Sequence, residues 1–160
     1  MVILTTTDLI IRIAIAIGLG MVIGLERTMA GKTAGMRTYS MVSLGSALFI
    51  LISEIILSTL PNPDLANPLL MASAIITGIG FVGAGLVMFK EHKLTGITTA
   101  AGLWVSAGVG IASGFGLFTL AIIATIGALI VFTIMWIVES IFRKHSYNEL
   151  EQNRENHEKN

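Results

Sequence analysis

The chain has 160 residues, 54% of them apolar and 12% charged, with a mean hydropathy of +0.83. A soluble domain this small exposes too large a share of its surface to hide such an apolar excess, and the same figures exclude a disordered chain. Ten basic residues balance ten acidic ones, which excludes a polybasic nucleic-acid binder, and the lack of cysteine removes disulfides, thiolate metal sites and a thiol nucleophile. What remains is an integral membrane protein.

A membrane span needs roughly 20 mostly apolar residues. Asp8–Leu25, Thr38–Leu60 and Pro68–Phe89 each qualify. Leu94 to Val138 is almost uncharged for 45 residues, enough for two spans, and three glycines between Gly110 and Gly116 mark the break. The expected fold class is therefore all-α, with five transmembrane helices. Residues 1–142 form the membrane domain and 143–160 a polar tail, with no second folded domain.

Charge distribution supports the count. Arg27, Lys32 and Arg37 fall between helices 1 and 2, Lys90 and Lys93 between helices 3 and 4, and Arg143 and Lys144 after helix 5. The alternate connections carry no Lys or Arg and only Asp8 and Asp64. The positive-inside rule then places the N-terminus outside and the C-terminus in the cytoplasm. The first span lacks a preceding basic residue and a small-x-small cleavage site, unlike a cleavable signal peptide.

Ionisable groups within spans are costly and default to functional hypotheses. Arg12 and Glu54 each lie about one turn inside the outer ends of helices 1 and 2. In an antiparallel hairpin they stand at similar depth, where they pair, snorkel separately to the headgroups, or take a direct part in ion passage. Glu139 and Trp136 suit the inner interface. The Glu26–Thr38 segment concentrates Glu26, Arg27, Lys32, Arg37 and Thr38, and a Glu–Arg clasp there would fix the mouth of the hairpin. Helix 3 carries Gly78, Gly80, Gly83 and Gly85 in eight residues, which permits very close helix packing or a broken helix lining a cavity. Gly20/Gly24 and Gly110/Gly114 add small-xxx-small pairs suited to a ligand-free packing dimer. Helix 4 opens with Thr98 and Thr99 ahead of Trp104, and the threonine hydroxyls bond either along their own helix or across to a neighbour.

No spacing defines a metal site. Glu26, Glu54 and Asp64 are the acidic candidates along any cation path, and none sits mid-span, against the one or two carboxylates Mg²⁺ prefers. No catalytic constellation is visible, so an enzyme is not expected.

Three ordered motifs carry a resemblance. Gly24-Leu-Glu26-Arg27 with Gly31-Lys32-Thr-Ala-Gly35-Met-Arg37-Thr38, then Gly78-Ile-Gly80-Phe-Val-Gly83-Ala-Gly85, then Gly96-Ile-Thr98-Thr99-Ala-Ala-Gly-Leu-Trp104 resemble the signatures of the MgtC/SapB family. The resemblance implies a bacterial inner-membrane protein tied to magnesium limitation and, in pathogens, to virulence. It implies regulation by binding other membrane machinery, such as the rotary ATP synthase or a transporter, with Thr98 at the partner-contact position. A homo-oligomer that conducts Mg²⁺ or another cation is the alternative, and Mg²⁺ enters through the resemblance alone, with no other cofactor expected. The chain departs from the family in ending on a short polar tail where many members have an ACT-like domain. It departs also at Asn67, Leu70, Ala74 and Thr95, where the family often carries Asp, Arg, Gln and Arg.

Overall fold

The computed structural model describes residues 4–60, 67, 69–90 and 93–135. Among the described residues five helices are long and apolar enough to cross a membrane: α1 (Thr6–Met29), α2 (Met36–Ser58), α3 (Leu69–Leu86), α4 (Ile97–Gly114) and α5 (Phe118–Met135). Between α3 and α4 lies a short antiparallel hairpin of β1 (Met88–Lys90) and β2 (Lys93–Thr95), pairing Met88 with Thr95 and Lys90 with Lys93. Residues up to Ala128 form one unit, and beyond it the described chain is the continuation of α5. Asp64, Trp136, Glu139 and the tail from 143 lie outside the described residues.

The helix ends differ from the hydropathy boundaries, and each difference has a local cause. α1 starts at Thr6 because Thr5 and Asp8 form a capping box: the Asp8 amide donates to Thr5 Oγ1 at 3.2 Å, and the Thr5 amide donates to Asp8 Oδ2 at 2.9 Å. At its other end α1 runs on through Glu26 and Arg27, so those residues belong to its last turns and not to a loop. It stops in a Schellman arrangement at Gly31, whose φ of 65° suits glycine, with the Lys32 amide donating to the Arg27 carbonyl at 3.0 Å. α4 ends the same way at Gly116 (φ 73°), the Leu117 amide donating to the Ala112 carbonyl at 2.8 Å. The glycine-marked break between spans 4 and 5 is therefore a helix C-cap. α3 ends at Leu86 and not at Phe89. The chain turns there through the hairpin and enters α4 at Gly96, whose φ is 89°.

α1, α2 and α4 pack into a three-helix core around Ala16, Ile23, Tyr39, Ala47, Ile50, Leu103 and Val109, all fully buried. Glycines set the crossings. A Cβ on Gly20 would stand 2.8 Å from the Tyr39 carbonyl oxygen, and one on Gly24 would stand 2.6 Å from Met36 Cα. One on Gly110 would overlap the Ser43 carbonyl, and one on Gly114 would stand 2.8 Å from Ile50 Cβ. Both small-xxx-small pairs are thus consumed inside the chain, where backbone meets backbone. This corrects the expectation that Gly20/Gly24 and Gly110/Gly114 dimerise the protein. α3 lies against α4, where Gly83 faces Ala100 Cβ at 3.5 Å, and is otherwise almost wholly outward.

Candidate functional site

Two charged pairs mark opposite ends of the core. Toward the start of α1, the Arg12 guanidinium donates from one nitrogen, Nη1, to Glu54 Oε2 at 2.7 Å and to the Gly114 carbonyl at 2.6 Å. The Arg12 side chain is 13% exposed and that of Glu54 28%. Arg12 therefore neutralises an acid on α2 and satisfies a carbonyl left open at the C-terminus of α4, where a cation is also favoured by the helix dipole. Arg12 and Glu54 are thus paired and do not snorkel separately.

At the other end Arg27 is buried, with Nε and Nη2 both directed at the neighbouring Glu26 carboxylate. The Glu–Arg clasp thus forms between adjacent residues of α1. Arg37, Lys32 and Thr38 lie outward, and among the described residues Arg37 has no ion pair. The connection is held instead by Thr28. Its hydroxyl donates to the Gly24 carbonyl at 2.9 Å and accepts from the Met36 amide at 3.1 Å. Gly35 comes so close to that hydroxyl that no side chain fits.

Hydroxyl bonds join the core between these ends, and the sequence reading did not single out their donors. Tyr39 donates to the Thr99 carbonyl at 3.3 Å, Ser43 to the Ala16 carbonyl at 2.7 Å, and Ser106 to the Tyr39 carbonyl at 2.9 Å. All three side chains are completely buried. Each carries a hydrogen bond from one helix to another in a region where an unmet polar group is expensive. A detectable signal existed, since Tyr39 and Ser43 fall one turn apart on the stripe of α2 that faces Gly20.

The remaining sequence candidates sort by face. Thr99 is buried, whereas Thr98 and Trp104 point outward and share an outward strip of α4 with Ile97, Ala101 and Gly108. Gly78, Gly80 and Gly85 face open space, so the close packing anticipated for helix 3 holds within this chain only at Gly83. Among the described residues no three His, Cys, Asp or Glu side chains gather as a metal cluster. Glu26 and Glu54 lie at opposite ends of the core, each engaged by an arginine.

Five helices of membrane-spanning length, three of them packed in a hydroxyl-bonded, glycine-tight core, define a multi-pass membrane protein whose charged residues, among those described, lie toward the two ends. The MgtC family model matches residues 13–141, and the chain belongs to that family. It is 37% identical over 128 residues to the "Putative magnesium transporter YhiD" of Escherichia coli K12, covering 79% of this chain and 60% of that protein. It is 42% identical over 117 residues to "Protein MgtC" of Salmonella typhimurium LT2 (73% and 48%), and 36% identical over 121 residues to "Uncharacterized protein slr0014" of Synechocystis (76% and 49%). The chain thus spans about half to three-fifths of the length of these relatives. No solved structure gives a significant match.

Proposed function

We propose that the protein is a membrane regulator of magnesium homeostasis that works by holding another integral membrane protein. The carrying observation is the outward strip of α4. This helix is the most enclosed of the five, yet it leaves Thr98, Ala101 and Trp104 open, with Trp104 54% exposed. A small threonine and alanine beside a large aromatic anchor suit a partner helix in lipid, where small residues allow close approach and a tryptophan supplies contact area. Membership of the MgtC family and the name of the Escherichia coli relative, "Putative magnesium transporter YhiD", support the link to magnesium. The proposed setting is the bacterial inner membrane, with the basic end in the cytoplasm. ATP synthase and cation transporters are the partner classes to test, self-association and a role in virulence being further expectations of the same reading.

Capture tests it. Crosslinking in native membranes, with Thr98→Leu and Trp104→Ala beside the wild type, is expected to lose the partner while the folded yield stays unchanged. Undiminished capture by both variants overturns the assignment. Gly83 is unsuited to this test, since bulk there pushes α3 off Ala100. The transport reading is weaker on the geometry, because the two described acids of its path, Glu26 and Glu54, are paired to arginines and the hydroxyls of Ser43 and Ser106 are spent on carbonyls.

A further inference from the structure

A groove of 430 Å³ separates α2 from α3, within the roughly 300–1,000 Å³ typical of small-molecule sites. Met41, Phe49, Met71 and Val82 form its walls. Gly45 and Gly78 widen it from opposite sides, neither having an atom within 4 Å of where a side chain would begin. Its hydroxyl, Ser46, already donates to the Val42 carbonyl at 2.9 Å. The lining therefore offers no polar handle, and the groove suits a hydrocarbon.

Its end is different. Arg37, Met41, Gly45 and Phe49 recur every four residues on one face of α2, so Arg37 stands one turn beyond the groove toward the basic end of the molecule. Helical side chains lean toward the N-terminus, which carries the Arg37 guanidinium away from the hydrocarbon and toward headgroup depth. Arg37 is outward, and among the described residues it has no carboxylate partner. Thr38 follows it, one turn before Val42 on the same groove. α2 begins at Met36, whose amide is taken by the Thr28 hydroxyl; its N-cap Gly35 brings no side chain, and among the described residues the Arg37 and Thr38 amides have no acceptor. Two unmatched amides in the first helical turn, beside an outward guanidinium, favour an anion. From Met41 to Phe49 the groove runs about 12 Å along α2, and from Met71 to Val82 about 16 Å along α3. That is close to one leaflet, about half of the 30 Å hydrocarbon core.

We infer that the α2–α3 groove binds one anionic phospholipid, its acyl chain between Gly45 and Gly78 and its phosphate at Arg37 and Thr38. Charge complementarity at one end and an uncharged slot of leaflet length select a lipid over a free anion. The site shares no residue with the proposed partner strip on α4, so either assignment can fail without the other.

The test uses the full chain in phosphatidylcholine vesicles doped with phosphatidylglycerol, or with an equal amount of extra phosphatidylcholine, carrying a photoreactive acyl chain. Wild-type protein is expected to crosslink within 41–49 and 71–82, preferentially to the anionic lipid. Arg37→Gln should lower that preference about fivefold, the effect of one basic residue at an anionic surface. Gly45→Leu should remove labelling by both lipids, and Gly78→Leu serves the same purpose from α3 if the first variant folds poorly. Equal labelling by the two lipids in the wild type overturns the headgroup site, as does an unchanged preference in Arg37→Gln. Crosslinks from the groove to a second copy of the chain would overturn the lipid in favour of a self-associating face.

Discussion

Arg12 makes two bonds with a single nitrogen, one to a side chain of α2 and one to the last carbonyl of α4, so its loss should cost more than the loss of either acceptor. Removing one member of a fully buried pair costs about 3–5 kcal/mol, and partial exposure here lowers that figure. Arg12→Gln should destabilise the protein by about 2–3 kcal/mol, and Glu54→Gln by less, because the Gly114 carbonyl keeps its donor. Thermal unfolding in mild detergent ranks the two, and an equal or reversed order would show that the carbonyl bond contributes nothing. The glycines allow a similar comparison. Gly110→Ala drives a Cβ into the Ser43 carbonyl, an overpacking worth about 1–3 kcal/mol. Gly18→Ala meets nothing within 4 Å, and helix propensity alone makes it neutral or slightly stabilising. Similar unfolding midpoints for the two alanine variants would contradict the crossing geometry.

Among the elements, the junction of α3, hairpin and α4 is the most constrained. Gly96 holds a φ of 89°, and any Cβ there overlaps the Leu86 carbonyl. Gly96→Ala should strain this junction by about 1–3 kcal/mol. The expected result is faster tryptic cleavage after Lys90 or Lys93, with the spans still protected, whereas an unchanged cleavage rate would argue against the constraint. The sequence signals this junction poorly. Three-residue strands lie below any periodicity, and hydropathy carries helix 3 smoothly through to Phe89. The helix spans themselves are legible because long uncharged runs admit little else in a bilayer. Their ends are not, because Asp8, Glu26 and Arg27 look like loop residues until their capping and pairing partners are known. Glycine spacing was ambiguous for the same reason: Gly20/Gly24 and Gly78/Gly85 read alike as packing surfaces, and only the neighbouring helix decides which is filled. Tyr39, Ser43 and Ser106 were passed over because a hydroxyl inside an apolar run acquires a role only when another helix brings a carbonyl to it.

At the scale of the whole molecule, antiparallel connection of the helices gathers the α1–α2 turn and the β-hairpin at one end and the Arg12–Glu54 pair at the other. The first end holds Lys32 and Arg37 on the surface, while the arginine at the second is neutralised by an acid. This asymmetry is what orients a multi-pass chain, since exposed basic residues near the spans stay in the cytoplasm. The expected topology therefore has Thr5 outside and Lys32 inside. The chain contains no cysteine, so single cysteines can be introduced without background. Thr5→Cys should react with a membrane-impermeant maleimide on intact cells, and Lys32→Cys only after permeabilisation. The reverse pattern would move Arg37 and the lipid groove to the outer leaflet. It would also direct the Trp104 strip's neighbouring threonine, Thr98, toward partners reached from outside. Orientation is thus the measurement on which both proposed surfaces acquire their biological side, and it needs neither ligand nor partner in hand.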